Sequence, residues 1–330
     1  MFIVQHYSMA ILLCVVTMVC WGSWANTTKL TSRDWRFELF YWDYGIGIVL
    51  MSVFLSFTLG SNGTAGRPFL DDLRQAGVMN VRSAFTGGVL FNLANILLVA
   101  AIAIAGMSVA FPVGIGIALV LGVVLNYSLQ PQGNPAILFS GVALITLAIL
   151  LNAHAYRKTA AASRVTQKGL VLSIISGCLM GLFYKYVAAS MATDFIQPEA
   201  GKLTPYTALF IFSLGIFVSS FLFNSLQMRW PFTGGPLSPR TYFNGSSRNH
   251  IVGMIGGAIC APEWRSTSSP QARPGRPFLM DWAKGPPWWP PSGASTSGYS
   301  GYSGISGFSG ISGYSGKSGF SGFSGFSDNN

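Results

Sequence analysis

Two ionisable side chains stand inside otherwise apolar runs, Asp43 in LFYWDYGIGIVL and Lys185 in GLFYKYVAAS. A charge at membrane depth is costly, so such a residue faces a partner, a water-filled cavity or the interface. Asp43 has two readings. It is a proton-coupling acid or solute acceptor, or it is an interfacial acid left in water among Phe40, Tyr41, Trp42 and Tyr44, which look like an aromatic belt. Lys185 lies between Tyr184 and Tyr186. It stands about seven residues from the end of its run, roughly 10 Å by helical rise, a long reach for a snorkelling side chain. It is therefore expected in a cavity, and an Asp43–Lys185 pair is a further expectation.

The neutral polar groups carry a second kind of chemistry. Asn92 and Asn95 are three apart and share a helix face, either as a hydrogen-bonding stripe towards a solute or as interhelical glue. Trp21 and Trp24 offer stacking walls or interfacial anchors, and Asn26 offers a paired donor and acceptor. The candidate substrate-binding set is thus Trp21, Trp24, Asn26, Asn92, Asn95, Tyr184 and Lys185, with Asp43 as the candidate proton-coupling acid.

Enzymatic constellations are absent from the sequence. The four cysteines (Cys14, Cys20, Cys178, Cys260) form no C-x-x-C, and His6, His154 and His250 lie far apart at span ends, where they read as interfacial. Gly316-Lys317-Ser318 resembles the end of a phosphate-binding loop, but Ile311 occupies the position of the required first glycine. No catalytic residue, cofactor or metal is expected.

The elements that position these residues are apolar spans. Half the residues are hydrophobic and 9% are charged, against about 25% in a soluble domain. From Ser83 to Tyr156 there is no Asp, Glu, Lys or Arg, and a crossing needs roughly 20 residues. The pattern predicts an all-α polytopic membrane protein. Its spans run at about Tyr7–Trp24, Leu39–Gly60, Ala84–Ala105, Met107–Tyr127, Pro135–Asn152, Gly169–Met191 and Tyr206–Leu226. Gly87, Gly88, Gly114, Gly116 and Gly122 read as packing positions, and Pro112 as a kink in the fourth span. An eighth apolar stretch, Ile251–Ala261, is too short to cross. The first span follows no basic leader region and is expected to remain in the chain.

The net charge of +10 is carried by connecting segments and is no nucleic-acid signal. Odd-numbered connections hold Lys29, Arg33, Arg36, Arg157, Lys158, Arg164, Lys168, Arg229, Arg240 and Arg248; even-numbered ones hold Arg67, Arg74, Arg82 and Lys202. Basic loops stay cytoplasmic, so the N-terminus is expected outside, in a plasma or inner membrane. The expected organisation is a first five-helix unit over 1–153, a basic loop over 154–168, an incomplete second unit over 169–261 and a low-complexity tail over 262–330. From Gly298 the tail carries Gly at every third position, mostly as Gly-X-Ser. It has no proline in the repeat, and so reads as a disordered segment rather than a collagen helix.

CWGSWAN (Cys20 to Asn26) overlays LMGLFYK (Leu179 to Lys185) with Gly22 on Gly181, and GGVLFNLAN from Gly87 overlays GGAICAPEW from Gly256. The copies lie five spans apart, which inverts one relative to the other, as in secondary transporters. With WGSWANT at Trp21, YWDYGIGIVL at Tyr41, TLG at Thr58 and GMSVAFPVGIGIALVLGVVLNY ending at Tyr127, the chain resembles the drug/metabolite transporter superfamily over about residues 7–260, in its ureide permease and sugar-uptake branch. The resemblance implies two inverted five-helix units moving a small polar solute such as a ureide, nucleobase or sugar, often with protons. It also implies ten spans, whereas the likeness stops near Cys260, as a truncated or frameshifted copy would. The alternative expectation is therefore a non-transporting membrane remnant or scaffold. Partners are expected to be the bilayer, a small solute and protons, with no nucleic acid. Association into oligomers is left open.

Overall fold

The computed structural model describes residues 1–3, 7–32, 34–63, 65–129, 134–157 and 167–261. The Gly-X-Ser tail, most of the basic segment 154–168 and the side chain of Asn126 lie outside the described residues.

Ten α-helices follow in order among the described residues: α1 (Tyr7–Thr27), α2 (Phe37–Thr58), α3 (Phe69–Gln75), α4 (Val78–Ala105), α5 (Met107–Leu129), α6 (Pro135–Arg157), α7 (Gln167–Ser190), α8 (Pro205–Arg229), α9 (Pro239–Phe243) and α10 (Ser247–Cys260). Four of them, α2, α4, α7 and α8, are long and apolar enough to cross a membrane. The long helices are apolar on all sides, and a helix satisfies its own backbone groups in hydrocarbon. The protein is an all-α polytopic membrane protein. Leu144, Leu147 and Leu150 on α6 and Phe221 and Leu222 on α8 are exposed, a surface suited to lipid.

Local sequence sets the element ends. Pro135 and Pro205 each open a helix, where a missing N–H costs nothing. Gly106, at φ +84°, alone separates α4 from α5; a side chain at that position would be strained. The expected tight hairpin of the third and fourth spans is therefore present. Two starts come earlier than the hydrophobic pattern predicts, α4 at Val78 and α10 at Ser247. The Ser246 hydroxyl accepts the Asn249 N–H and caps α10, so polar residues extend the apolar run into a 14-residue helix.

The packing has an internal correspondence. α2 packs on α8 and α10, α4 packs on α8 and α7, and α1 packs on α10. Exchanging α1 with α7, α2 with α8 and α4 with α10 maps these contacts onto one another, with the α2–α8 crossing on the axis. The glycines follow the same rule. A Cβ at Gly88 of α4 would collide with the Phe212 carbonyl and crowd Gly215 and Ile216 of α8; one at Gly257 of α10 would collide with the Tyr44 carbonyl and crowd Ile48 of α2. Tyr44, Gly45, Gly47, Ile48 and Ser52 thus answer position for position to Phe212, Ser213, Gly215, Ile216 and Ser220. At this crossing Ser52 and Ser213 share a 2.8 Å hydrogen bond, and the corresponding pair sets Ser220 against Gly45. Gly87 lies against Val187 and Gly256 against Thr27. That matches the Gly87/Gly256 overlay and departs by one residue from the register that Gly22 over Gly181 implies. Small residues at these crossings let backbones approach in the absence of a hydrophobic driving force between helices.

The aromatic belt expected at the start of α2 is not one. Phe40, Tyr41 and Tyr44 are fully buried, Phe40 and Tyr44 against α10 and Tyr41 against Asn92 and Asn95 of α4, while Trp42 is half-buried. Trp21 and Trp24 are likewise buried rather than anchored at an interface.

Candidate functional site

An amide network lies at the crossing of α2, α4 and α8. The Tyr41 hydroxyl donates to Asn92 Oδ1 at 2.7 Å, and Asn95 Nδ2 donates to the same hydroxyl at 3.3 Å. Asn92 Nδ2 donates to Ser219 Oγ at 2.7 Å, to the Ile216 carbonyl at 3.1 Å and to Ser220 Oγ at 3.2 Å. Ser219 and Ser220 in turn donate to carbonyls of their own helix turn, Gly215 at 2.7 Å and Ile216 at 2.8 Å. Asn92 and Asn95 share one face of α4, as their spacing predicts, and both are buried.

Aromatic rings enclose the network. Tyr41 and Tyr44 stack at 5.2 Å between centroids, Trp24 lies 5.0 Å from Tyr44, and Trp21 lies 6.5 Å from Phe91. Phe91 meets Phe183 of α7 and Phe212 of α8 at 5.2 and 5.3 Å. The Tyr44 hydroxyl reaches Cys260 Sγ at 3.1 Å. Flat rings around paired amide donors and acceptors suit a planar solute rich in N–H and C=O groups.

A second cluster closes one end of the bundle. Asp43 is 2% exposed, and its carboxylate meets His250 Nδ1 of α10 at 3.0 Å and accepts from the Tyr242 hydroxyl of α9 at 2.7 Å. Burial, and then the hydrogen bond to Asp43, raise the Tyr242 phenol above the ordinary tyrosine range, so it stays a donor. Beside it Asn249 Nδ2 donates to Ser32 Oγ at 2.9 Å and Asn249 Oδ1 accepts from the Ser32 N–H at 3.0 Å. Arg36 pairs with Glu38 at 2.6 Å and donates to the carbonyls of Thr233 and Gly235.

A third cluster joins the connections α2–α4 and α7–α8. Asp72 is fully buried. It pairs with Arg67 at 2.8 Å and accepts from the Thr204 N–H and hydroxyl at 2.7 and 2.9 Å. Asn80 Nδ2 donates to the Gly201 carbonyl at 2.7 Å. Asn80 and Asn249 are correspondents under the helix exchange, so each near-equivalent helix start carries an asparagine that clasps the connection opposite.

The sequence-predicted residues are thus divided. Trp21, Trp24, Asn92 and Asn95 lie in or around the amide network, whereas Asp43 is buried in the separate cluster with His250 and Tyr242. Asn26 is exposed and accepts from Lys29 Nζ at 3.0 Å. Lys185 is exposed on α7, and Tyr184 beside it is half-buried against Phe183. The expected Asp43–Lys185 pair is not formed, because His250 and Tyr242 occupy the carboxylate. His250, read as interfacial, is instead the partner of Asp43. Asp72, Tyr41, Ser219, Ser220 and Tyr242 were not singled out as site residues. Only the SS pair on the apolar α8 offered a hint, since adjacent hydroxyls in a span seek partners.

Residues 40–168 match the ureide permease family. Ureide permease 1 of Arabidopsis thaliana is 25% identical over an alignment covering 78% of this chain and 82% of that protein. Ureide permease 3 of the same plant is also 25% identical, over 78% and 84%. Ureide permease 4 reaches 31% identity, over 52% of this chain and 44% of its own length.

Proposed function

We propose that this chain is a secondary transporter of the ureide permease type, moving a ureide or a similarly flat polar solute such as a nucleobase, rather than an enzyme. The observation that carries the reading is the amide network of Tyr41, Asn92 and Asn95 with Ser219 and Ser220, enclosed by rings at the crossing of two corresponding sets of helices. Asn side chains pair with both the N–H and C=O groups of a urea unit, and Trp21, Trp24 and Tyr44 supply faces against its plane. Similarity to named ureide permeases over four-fifths of their length supports a carrier over a non-transporting remnant.

In this reading residues 1–153 and 169–261 act as two units about the α2–α8 axis. Alternating access opens the Asn249 clasp and the Asn80 clasp in turn. The count of basic residues in the odd-numbered connections supports a cytoplasmic location for the Asp43 end. Asp43, which the sequence suggests as the coupling acid, marks that end as the place where a proton enters the cycle. Uptake into proteoliposomes, screened over ureides, nucleobases and sugars, tests the proposal. Saturable uptake of a ureide, lost in Asn92→Leu, is the expected result; no uptake of any member of the three classes would reject it.

A further inference from the structure

The amide network makes no use of His250, a half-buried side chain at the Asp43 end of the bundle. Its Nδ1 stands 3.0 Å from both oxygens of Asp43. The rings of Trp35 and Tyr242 meet it edge-on at 5.1 and 4.8 Å, and a Cβ at Gly245 would stand 2.7 Å from Nε2. Asp43 is sealed, whereas the His250 side chain is 23% exposed. A carboxylate without solvent therefore has as counter-charge a group that does reach solvent and ordinarily titrates near neutrality.

We propose that His250 is a proton-binding site of the carrier, with Asp43 as its fixed counter-charge, and that its protonation closes this end of the bundle. The proposal rests on the carrier reading above. It exchanges the roles the sequence suggested: Asp43 holds the charge and His250 takes and releases the proton. Protonated His250 makes a neutral, hydrogen-bonded pair with Asp43. Deprotonated, it leaves a buried carboxylate facing a neutral ring, which weakens the tie between α2 and α10. Acid therefore closes this end and alkali loosens it.

The surrounding charges leave this assignment intact among the described residues. Glu38 of α2 is held by Arg36. Lys29, Asp34, Arg240 and Arg248 are exposed, and Arg229 at the end of α8 is exposed over the Trp230 ring. Tyr242 of α9 is a neutral donor. The cluster at the other end differs in one respect that matters. There the buried carboxylate, Asp72, is countered by Arg67, and arginine does not lose its proton in proteins. Two ends related by the helix exchange thus differ in proton sensitivity, and proton occupancy biases one of them alone. A ligand that binds one state better than another couples to whatever else that state binds.

The test uses the purified full-length chain in liposomes with allantoin as the probe ureide. Accumulation driven by a pH gradient and counterflow exchange without one are measured for the wild type and for His250→Gln. The ratio of accumulation to counterflow is expected to fall about tenfold in His250→Gln; an unchanged ratio with an unchanged pH profile overturns the proposal. Absence of counterflow in the wild type, with allantoin or any other solute of the screen, rejects the carrier reading instead. In that event hydrogen–deuterium exchange over Ser247–Met254 decides the proton site by itself. The variant is expected to exchange faster than the wild type at acid pH, with the difference vanishing above the histidine range. A ratio of rates that stays constant with pH overturns the site.

Discussion

Asn92 shows how much one buried amide can organise. Its Nδ2 serves three acceptors on α8 and its Oδ1 takes the Tyr41 hydroxyl. Asn92→Leu keeps the branched shape but removes the acceptor of the Tyr41 hydroxyl inside the core, leaving that hydroxyl only the bond it accepts from Asn95. Interhelical hydrogen bonds in membranes are worth less than in an alkane, because the separated helices find other partners, so a loss of about 1–2 kcal/mol is expected. Thermal unfolding in detergent measures it. Tyr242 gives a pH prediction. Its phenol is raised in the folded chain, so its contribution is whole below the ordinary value of 10.0 and is lost as pH rises through the higher folded value. Phenolate absorbance, taken as wild type minus Tyr242→Phe, is expected to develop only above the ordinary tyrosine range. Development at or below it would remove Asp43 as the acceptor.

At the scale of the elements, close crossings decide which glycines matter. Gly88 meets α8 backbone and Gly257 meets α2 backbone, whereas a Cβ at Gly141 of α6 would meet nothing within 4 Å. Gly88→Ala and Gly257→Ala must push two helices apart, at a cost of about 1–3 kcal/mol each. Gly141→Ala is expected to be neutral or stabilising by up to about 1 kcal/mol, since alanine is the better helix former. Melting temperatures of the three variants in one detergent separate these cases. Similar losses in all three would mean that propensity, not the crossing, sets the response. Of the seven expected spans, α2, α4, α7 and α8 are long and apolar enough to cross, and these were legible in the sequence because an apolar run of bilayer length has no polar face to turn towards water. The helix starts at Val78 and Ser247 were not, since capping residues and polar first turns are invisible to a hydropathy pattern.

For the whole molecule, the correspondence of α1, α2 and α4 with α7, α8 and α10 makes the Asn80 and Asn249 clasps opposites. Asn80 ties α4 to Gly201 and Asn249 ties α10 to Ser32. Loosening one is expected to favour opening at its own end. With a cysteine at Ser52 in the α2–α8 crossing, in a background without other cysteines, Asn80→Ala is expected to raise labelling from one side of the membrane and Asn249→Ala from the other. Parallel changes from the same side would contradict the paired arrangement. The repeat was half visible in the sequence. The Gly87/Gly256 overlay holds in the packing, while the α1 overlay is one residue off, and seven letters with one shared glycine carry too little information to fix a register.

The sequence alone determined that this chain lives in a bilayer, that the runs of α2, α4, α7 and α8 are apolar enough to cross it, and that Asn92 and Asn95 share a face. Those features follow from composition and helical period, which act within one segment. Only the tertiary structure decided the partners. Asp43 and His250 are joined by α10 folding back over α2, Lys185 is turned to the outside, and the aromatic run beside Asp43 is inside rather than at the interface. A helix that is apolar all round carries no mark of which side will meet protein and which will meet lipid, and that choice is made by the close backbone crossings at Gly47, Gly88, Gly215 and Gly257.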